Sequence, residues 1–203
     1  MNKKLMCVAA AVAALVSGQT MAQDSPWLVR FRAVQLNMAN HWSPTAAGAA
    51  VTSAEVNNKT IGELDITYFL TQNWATELIL TVPQRQLVTV NGTTSLGSFN
   101  HLPPTLSLQY HFTDLPGYKP YLGLGVNYTK ISGVDLSGYT LDSSSTGASA
   151  QLGVDIPLDK KWSLNVDVKK VYIKSDVYSN VGTNLGTLKL DPTLFGVGIG
   201  YRF

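Results

Sequence analysis

Cysteine is almost missing from this 203-residue chain: the one present, Cys7, stands among the first 22 residues. Beyond them there is no thiol, so neither a disulfide framework nor a cysteine metal site can be built there. Long hydrophobic runs are missing too. After residue 22 no stretch approaches 18 apolar residues, which excludes membrane-spanning helices. Histidine is scarce, with only His41, His101 and His111, and no metal-ligand spacing joins them to carboxylates. A charge excess is also lacking. The formal balance is +2, and leaving out Lys3 and Lys4 brings 13 basic residues against 13 acidic. The pI of about 8.6 is therefore partly a property of the first residues. No basic stripe remains that would bind nucleic acid, and no cofactor is implied.

What the first 22 residues do contain is a leader pattern. Lys3 and Lys4 form a basic start, Leu5 to Val16 is an apolar run, and Thr20-Met21-Ala22 offers small residues before a cut. The run is too short to cross a bilayer as a helix, which needs ~20 residues. The expectation is a secretory signal peptide over 1–22, cleaved before Gln23, rather than a retained anchor. Cys7 precedes most of the apolar run and is badly placed for a lipoprotein cysteine. Residues 23–203 then suit one domain.

Glycine is abundant in that domain, and apolar residues alternate. In PYLGLGVNY (120–128), Leu122, Leu124, Val126 and Tyr128 share one face and Gly123, Gly125 and Asn127 the other. Leu64, Ile66, Tyr68 and Leu70 oppose Glu63, Asp65 and Thr67. Ala148, Ala150, Leu152, Val154 and Ile156 oppose Ser149, Gln151, Gly153 and Asp155. A period of two marks strands. The pattern predicts eight, at 27–36, 60–71, 74–84, 102–112, 119–131, 146–157, 162–174 and 187–203. Connections after even-numbered strands are short, and those after odd-numbered strands are long and rich in Ser, Thr, Asn and Gly. Membrane β-barrels have short periplasmic turns and long extracellular loops. Such a chain, with no apolar helix, crosses a bilayer only as a closed barrel. The fold expected is all-β, an eight-stranded antiparallel up-and-down transmembrane barrel in the bacterial outer membrane, with both termini in the periplasm.

The last strand, LDPTLFGVGIGYRF (190–203), states the case most strongly. Phe195, Val197, Ile199, Tyr201 and Phe203 fall on one face, and Gly196, Gly198, Gly200 and Arg202 on the other. The first face suits lipid and the second a lumen. A terminal strand ending on Phe resembles the signal by which the outer-membrane assembly machinery recognises its barrels. Trp27, Trp74 and Trp162 each begin an odd-numbered strand, level with Tyr110, Phe112, Tyr201 and Phe203. This is an aromatic girdle at the periplasmic interface, whereas core aromatics need not collect at one end. The soluble rival is a secreted lipocalin-like barrel with its apolar face turned inward. The aromatic terminus, the lack of disulfides and the small residues opposite the apolar faces count against it.

Four segments carry a family resemblance. HLPPTLSLQYHF (101–112), PYLGLGVNY (120–128), GASAQLGVDIPLDKKW (147–162) and the closing LDPTLFGVGIGYRF are similar, in order and spacing, to segments of the OmpW family of outer-membrane proteins. TELILTVP (76–83) resembles that family's third strand. The resemblance implies an eight-stranded barrel taking up small hydrophobic molecules passively.

The strand register places Arg30, Arg32, Glu63, Asp65, Glu77, Asp155, Asp167, Lys169 and Arg202 inward. Arg30, Glu77, Asp155 and Arg202 lie near the periplasmic end. The lumen of an eight-stranded barrel is filled by side chains, and unpaired buried charges are costly, so a salt-bridged plug is expected there. Above it Val34, Ile79, Val171 and Leu194 point inward as candidate walls of an apolar pocket, or as plain lumen packing. The resemblance implies an inward apolar residue at Ile79. It also implies that an aromatic can stand where this chain has Lys169. Pro83 ends strand three, and Pro103 and Pro104 open strand four. Proline cannot donate to a sheet ladder, so one seam of the wall either leaves a lateral gap or simply marks where both strands stop.

Catalysis finds no support in this pattern. Ser107 and His111 share a face but stand four residues apart, roughly 13 Å at strand rise, too far for direct proton transfer. The resemblance implies passive uptake of small hydrophobic molecules, to which the prolines add lateral exit through the wall. The alternatives are a sealed structural or adhesive barrel whose loops serve as a receptor and, behind it, a secreted lipocalin-like binding protein. The expected partners are outer-membrane lipid, the assembly machinery through the last strand, and small hydrophobic solutes.

Overall fold

The computed structural model describes residues 25–203. The expected leader, with Cys7 and the Ala22–Gln23 junction, lies outside the described residues. In chain order the strands are β1 (Trp27–Asn37), β2 (His41–Pro44), β3 (Ala54–Val56), β4 (Lys59–Phe69) and β5 (Trp74–Thr81). There follow β6 (Gln84–Val90), β7 (Thr94–Leu102), β8 (Thr105–His111), β9 (Lys119–Leu136) and β10 (Tyr139–Leu141). The last are β11 (Ser144–Pro157), β12 (Trp162–Val171), β13 (Lys174–Ser179), β14 (Asn184–Lys189) and β15 (Thr193–Arg202). Eight of them close a ring in the order β1-β4-β5-β8-β9-β11-β12-β15, each pair antiparallel. The first and last strands seal it, from Leu28 opposite Arg202 to Asn37 opposite Thr193. Closure leaves the ring no sheet edge.

The alternation in sequence becomes an inside and an outside. Arg30, Arg32, Asp65 and Glu77 are buried in the lumen, while Phe31 is 62% exposed and Leu124 69% on the outer wall. Val126, Leu152, Phe195 and Val197 continue this apolar belt. A lipocalin-like barrel would carry the opposite polarity, so the soluble alternative fails on the direction of the side chains.

The girdle is built from a repeated cross-strand pair. Trp27 meets Tyr68, Trp74 meets Tyr110 and Trp162 meets Tyr201, with ring centroids 4.8, 5.1 and 4.9 Å apart, all edge-on. Each pair is directly opposed in the ladder. Tyr110 continues to Phe112 and Tyr201 to Phe203 at 5.1 and 5.0 Å. All stand at the end of the ring that holds both described chain termini. The fourth tryptophan, Trp42, stands at the other end, its indole N–H bonded to Val51 O at 2.8 Å. In bilayers carrying brominated lipids, Trp27, Trp74 and Trp162 should be quenched most by bromines near the headgroup. A Trp42-only protein should be quenched little at any depth; equal quenching of the two would refute the girdle.

At the end away from the termini the structure departs from expectation. The connections after the first, third, fifth and seventh strands are not long loops but strands that carry the wall upward as a crown. Its order is β3-β6-β7-β9-β10-β13-β14-β2. β9 alone runs 18 residues, against about 9–11 for a bilayer crossing, and so rises well past the lipid. The crown's last seam, between β2 and β3, is closed by side chains. Asn40 Nδ2 donates to Val56 O and Asn40 Oδ1 accepts from Val56 N, both at 2.9 Å.

Strands three and four also differ from the expected ranges. Strand three does not end at Pro83, nor does strand four open at Pro103. Each is interrupted at its prolines, strand three into β5 and β6 and strand four into β7 and β8. A proline removes a ladder donor but does not oblige the chain to turn, so the wall has a fault with ordered sheet above and below it. The seventh and eighth strands break similarly around Ile173 and Asp191. Asp191 takes a positive φ of 33°, and its Oδ1 accepts from Ile173 N at 2.9 Å.

Candidate functional site

The lumen is organised in tiers, beginning at the terminal end. Leu28, Phe69 and Ala75 form a small apolar floor. The Arg202 guanidinium lies 4.4 Å above the Phe69 ring, and its Nε donates to Ser25 O at 2.9 Å. His111 stacks on Tyr121 at 4.9 Å and leans on Phe69 at 4.8 Å. Its Nε2 is held by Gln109 Oε1 at 2.9 Å, while the Ser107 hydroxyl has no hydrogen-bond partner among the described residues.

The next tier centres on Arg30. Its Nε and Nη2 grip Asp155 at 3.0 and 2.6 Å, a bidentate pair. Its Nη1 donates to Glu77 at 2.9 Å and Thr67 at 2.8 Å. Gln151 Nε2 donates to the other Glu77 oxygen at 2.9 Å, and Asn165 Nδ2 to Asp155 at 2.9 Å. Above it, Arg32 reaches Asp65 at 2.6 Å, Glu63 at 3.2 Å and Asp167 at 3.2 Å. Lys169 Nζ pairs with Glu63 at 3.1 Å. The Tyr121 hydroxyl donates to Asp167 at 3.1 Å. Tyr121 fits because Gly153 faces it: a Cβ there would lie 2.3 Å from the ring. Three cations and five carboxylates, all buried, thus crowd the bore at this level with charge-assisted hydrogen bonds.

Of the expected plug residues, Arg30, Glu77 and Asp155 come together, and Arg202 lies apart at the mouth. Arg32, Glu63, Asp65, Asp167 and Lys169, read only as inward, form a second tier of equal weight. Tyr121, Gln151 and Asn165 were not singled out. The inward register signals them, since Tyr121 shares its face with Gly123 and Gly125.

Two cavities lie above the charged tiers. The lower encloses about 470 Å³ of space between atoms, part of it open to solvent. Ile79, Val171 and Leu194 line it, with Ile61 and Ile173 beside them and Glu63 and Lys169 among its polar walls. Val34 does not line it; it is packed in the surrounding apolar cluster. The upper, about 600 Å³ measured in the same way, lies in the crown among Trp42, Val88, Phe99, Ile131 and Leu188. Leu190 belongs to both walls, so the two spaces are neighbours.

The lower cavity reaches the faulted wall at Pro103. Pairing between strands three and four stops at Ile79 opposite Thr105 and resumes at Gln84 opposite His101. On the other side, the β4–β5 ladder ends at Glu63 opposite Thr81. Lys59–Gly62 pair only with β1, and Lys59 Nζ spans to Arg85 O at 3.2 Å. Within the fault Asn127 Nδ2 donates to the carbonyls of Pro103 and Pro104, both at 3.2 Å. Tyr128 N donates to Pro104 O at 3.0 Å, so Pro104 belongs to the intact ladder with β9. Successive residues in a strand alternate their bonding side, which leaves Pro103 turned toward β5.

A closed antiparallel ring of eight strands, belted by apolar residues, girdled at one end and filled with paired charge, defines an integral β-barrel of the bacterial outer membrane. A profile of the OmpW family matches residues 26–203. The chain is 38% identical to the "Uncharacterized outer-membrane protein y4mB" of Sinorhizobium fredii, over 88% of this chain and 80% of the relative. It is 28% identical to the "Dibenzothiophene metabolism operon protein DoxH" of Pseudomonas sp. strain C18, over the whole of both. The crystal structure of the outer membrane protein OprG from Pseudomonas aeruginosa superposes with a TM-score of 0.76 at 26% identity, covering 89% of this chain and 97% of that one. The chain belongs to the OmpW family.

Proposed function

We propose that this protein carries small hydrophobic molecules passively through the outer membrane, without a catalytic step. The carrying observation is the stacking of two apolar cavities directly on a charged plug, with the lower one reaching the wall at Pro103. A solute entering from the crown cannot continue down the axis, because the Arg30 and Arg32 tiers fill it. The route left is sideways, through the fault at Pro83, Pro103 and Pro104, into the lipid. In this reading both termini and the Trp girdle face the periplasm, the crown faces outward, and the last strand is the assembly signal. DoxH, by its name, belongs to a dibenzothiophene metabolism operon, which agrees with an apolar cargo.

The same plug favours a second reading, a lumen sealed throughout whose crown acts as a receptor. Uptake of naphthalene by cells with an intact lipopolysaccharide leaflet separates the two. Cells carrying the protein should fill faster than cells without it. Equal rates, with the folded barrel present in the outer membrane, would favour the sealed barrel.

A further inference from the structure

The lower cavity is two-sided. On one side Leu36, Met38, Ile61, Val171 and Leu194 give an apolar lining, with the paired Glu63 and Lys169 among them. The side formed by strands three to five carries Thr81, His101, Thr105 and Asn127 beside Ile79. Thr105 and Asn127 are already engaged: Thr105 Oγ1 donates to Pro103 O at 3.3 Å, and Asn127 Nδ2 donates to Thr105 Oγ1 at 2.9 Å. Thr81 Oγ1 and His101 Nδ1 are not. Both atoms are buried with no hydrogen-bond partner among the described residues, and His101 as a whole is 3% exposed. A buried polar atom without a partner costs free energy, and native structures rarely tolerate one without cause. Here the two residues that carry such atoms line the same cavity, at the fault through which a solute would leave.

We propose that Thr81 and His101 form a recognition point for a polar group on the solute. Resting on the uptake reading, this narrows the cargo class. The molecule has an apolar body and one neutral oxygen function, such as a phenol, alcohol or ketone, in place of a bare hydrocarbon. The apolar wall takes the body, and the hydroxyl or carbonyl satisfies the threonine hydroxyl and the imidazole nitrogen.

The charge of the site selects against an anion. Among the described residues Lys169 is the one cation lining this cavity, and Glu63 Oε1 already holds its ammonium at 3.1 Å. Lys59, whose charge also reaches His101, spends its ammonium on Arg85 O at 3.2 Å. Behind Glu63 stand Asp65 and Asp167, giving the tiers beneath more carboxylates than cations. A fatty-acid carboxylate would add a charge of the same sign to this excess, whereas a neutral oxygen adds only its hydrogen bond.

The test uses naphthalene and 2-naphthol, which differ by one hydroxyl. With three histidines in the chain, isotope-labelled histidine in nanodisc-held protein gives few ring signals. Added 2-naphthol should shift the His101 signals well beyond any shift caused by naphthalene, and leave exposed His41 still. Equal shifts with both compounds, or none with either, would overturn the proposal whether or not transport occurs. In cells, the 2-naphthol to naphthalene uptake ratio should fall about fivefold in Thr81→Val and in His101→Leu, the value of roughly one hydrogen bond. His101→Gln, which keeps a donor and an acceptor, should restore much of it. An unmoved ratio in correctly folded variants, with both compounds still entering, would overturn the recognition point and leave uptake standing. If neither compound enters wild-type cells faster than control cells, the uptake reading itself falls.

Discussion

Arg30→Met should destabilise the folded barrel by roughly 3–5 kcal/mol, the usual cost of removing one partner from a buried ion pair. Unfolding by urea in lipid vesicles, followed by the gel-mobility difference between folded and unfolded barrel, measures it. The size of the effect follows from what Arg30 holds. It supplies four donated bonds, two to Asp155 and one each to Glu77 and Thr67. Methionine fills similar space and returns none of them. The five lumen carboxylates would then face two cations, and Asp155 would keep only neutral help from Asn165. Replacing the whole group, Arg30→Met with Glu77→Leu and Asp155→Leu, should recover much of the loss. Desolvating three charged groups is itself expensive, and apolar packing avoids that expense. A loss under about 1 kcal/mol in the single variant would mean that the tier is hydrated and weakly coupled. The triple variant also asks whether the plug is there for stability or to block the bore. A barrel that is stable yet leaks small ions would assign it the second role.

The wall was legible in the sequence because a period of two is a local property. Each residue's face follows from its neighbours, and one apolar residue such as Phe195 or Leu124 fixes a whole strand. The pairing inside the lumen was not legible in this way. Arg30 and Asp155 are 125 residues apart, and the alternation shows that both point inward but not that they meet. Which carboxylate faces which cation depends on the stagger of the ring, and stagger is set by closure. The crown was hidden for a different reason. Its segments are rich in Ser, Thr and Asn, the usual loop composition, and its apolar positions turn inward above the membrane, as Val88 and Val90 do. One signal could have found it. Asn91-Gly92, both at positive φ (50° and 71°), is the hairpin dipeptide, and it connects β6 to β7 where Val90 faces Thr94.

Restoring the ladder at the fault should close the proposed exit. In Pro83→Thr with Pro103→Thr, two backbone N–H groups return to the seam between strands three and four. A net hydrogen bond contributes about 1 kcal/mol, so two of them favour the closed wall by about 2 kcal/mol, roughly 30-fold in population. If passage requires the open wall, naphthalene uptake should fall by about that factor while the barrel stays folded. Pro104→Thr should lose far less. Its carbonyl already accepts from Tyr128 N, so its new donor joins an intact ladder on the β9 side rather than the seam. Asn127→Ala should move uptake the other way, because its amide ties down the Pro103 and Pro104 carbonyls. Unchanged uptake in the double variant, with both new N–H groups protected from hydrogen exchange, would show that solute does not leave through this seam. The charged tiers would then have to part for it, and the Arg30 variants should raise uptake instead.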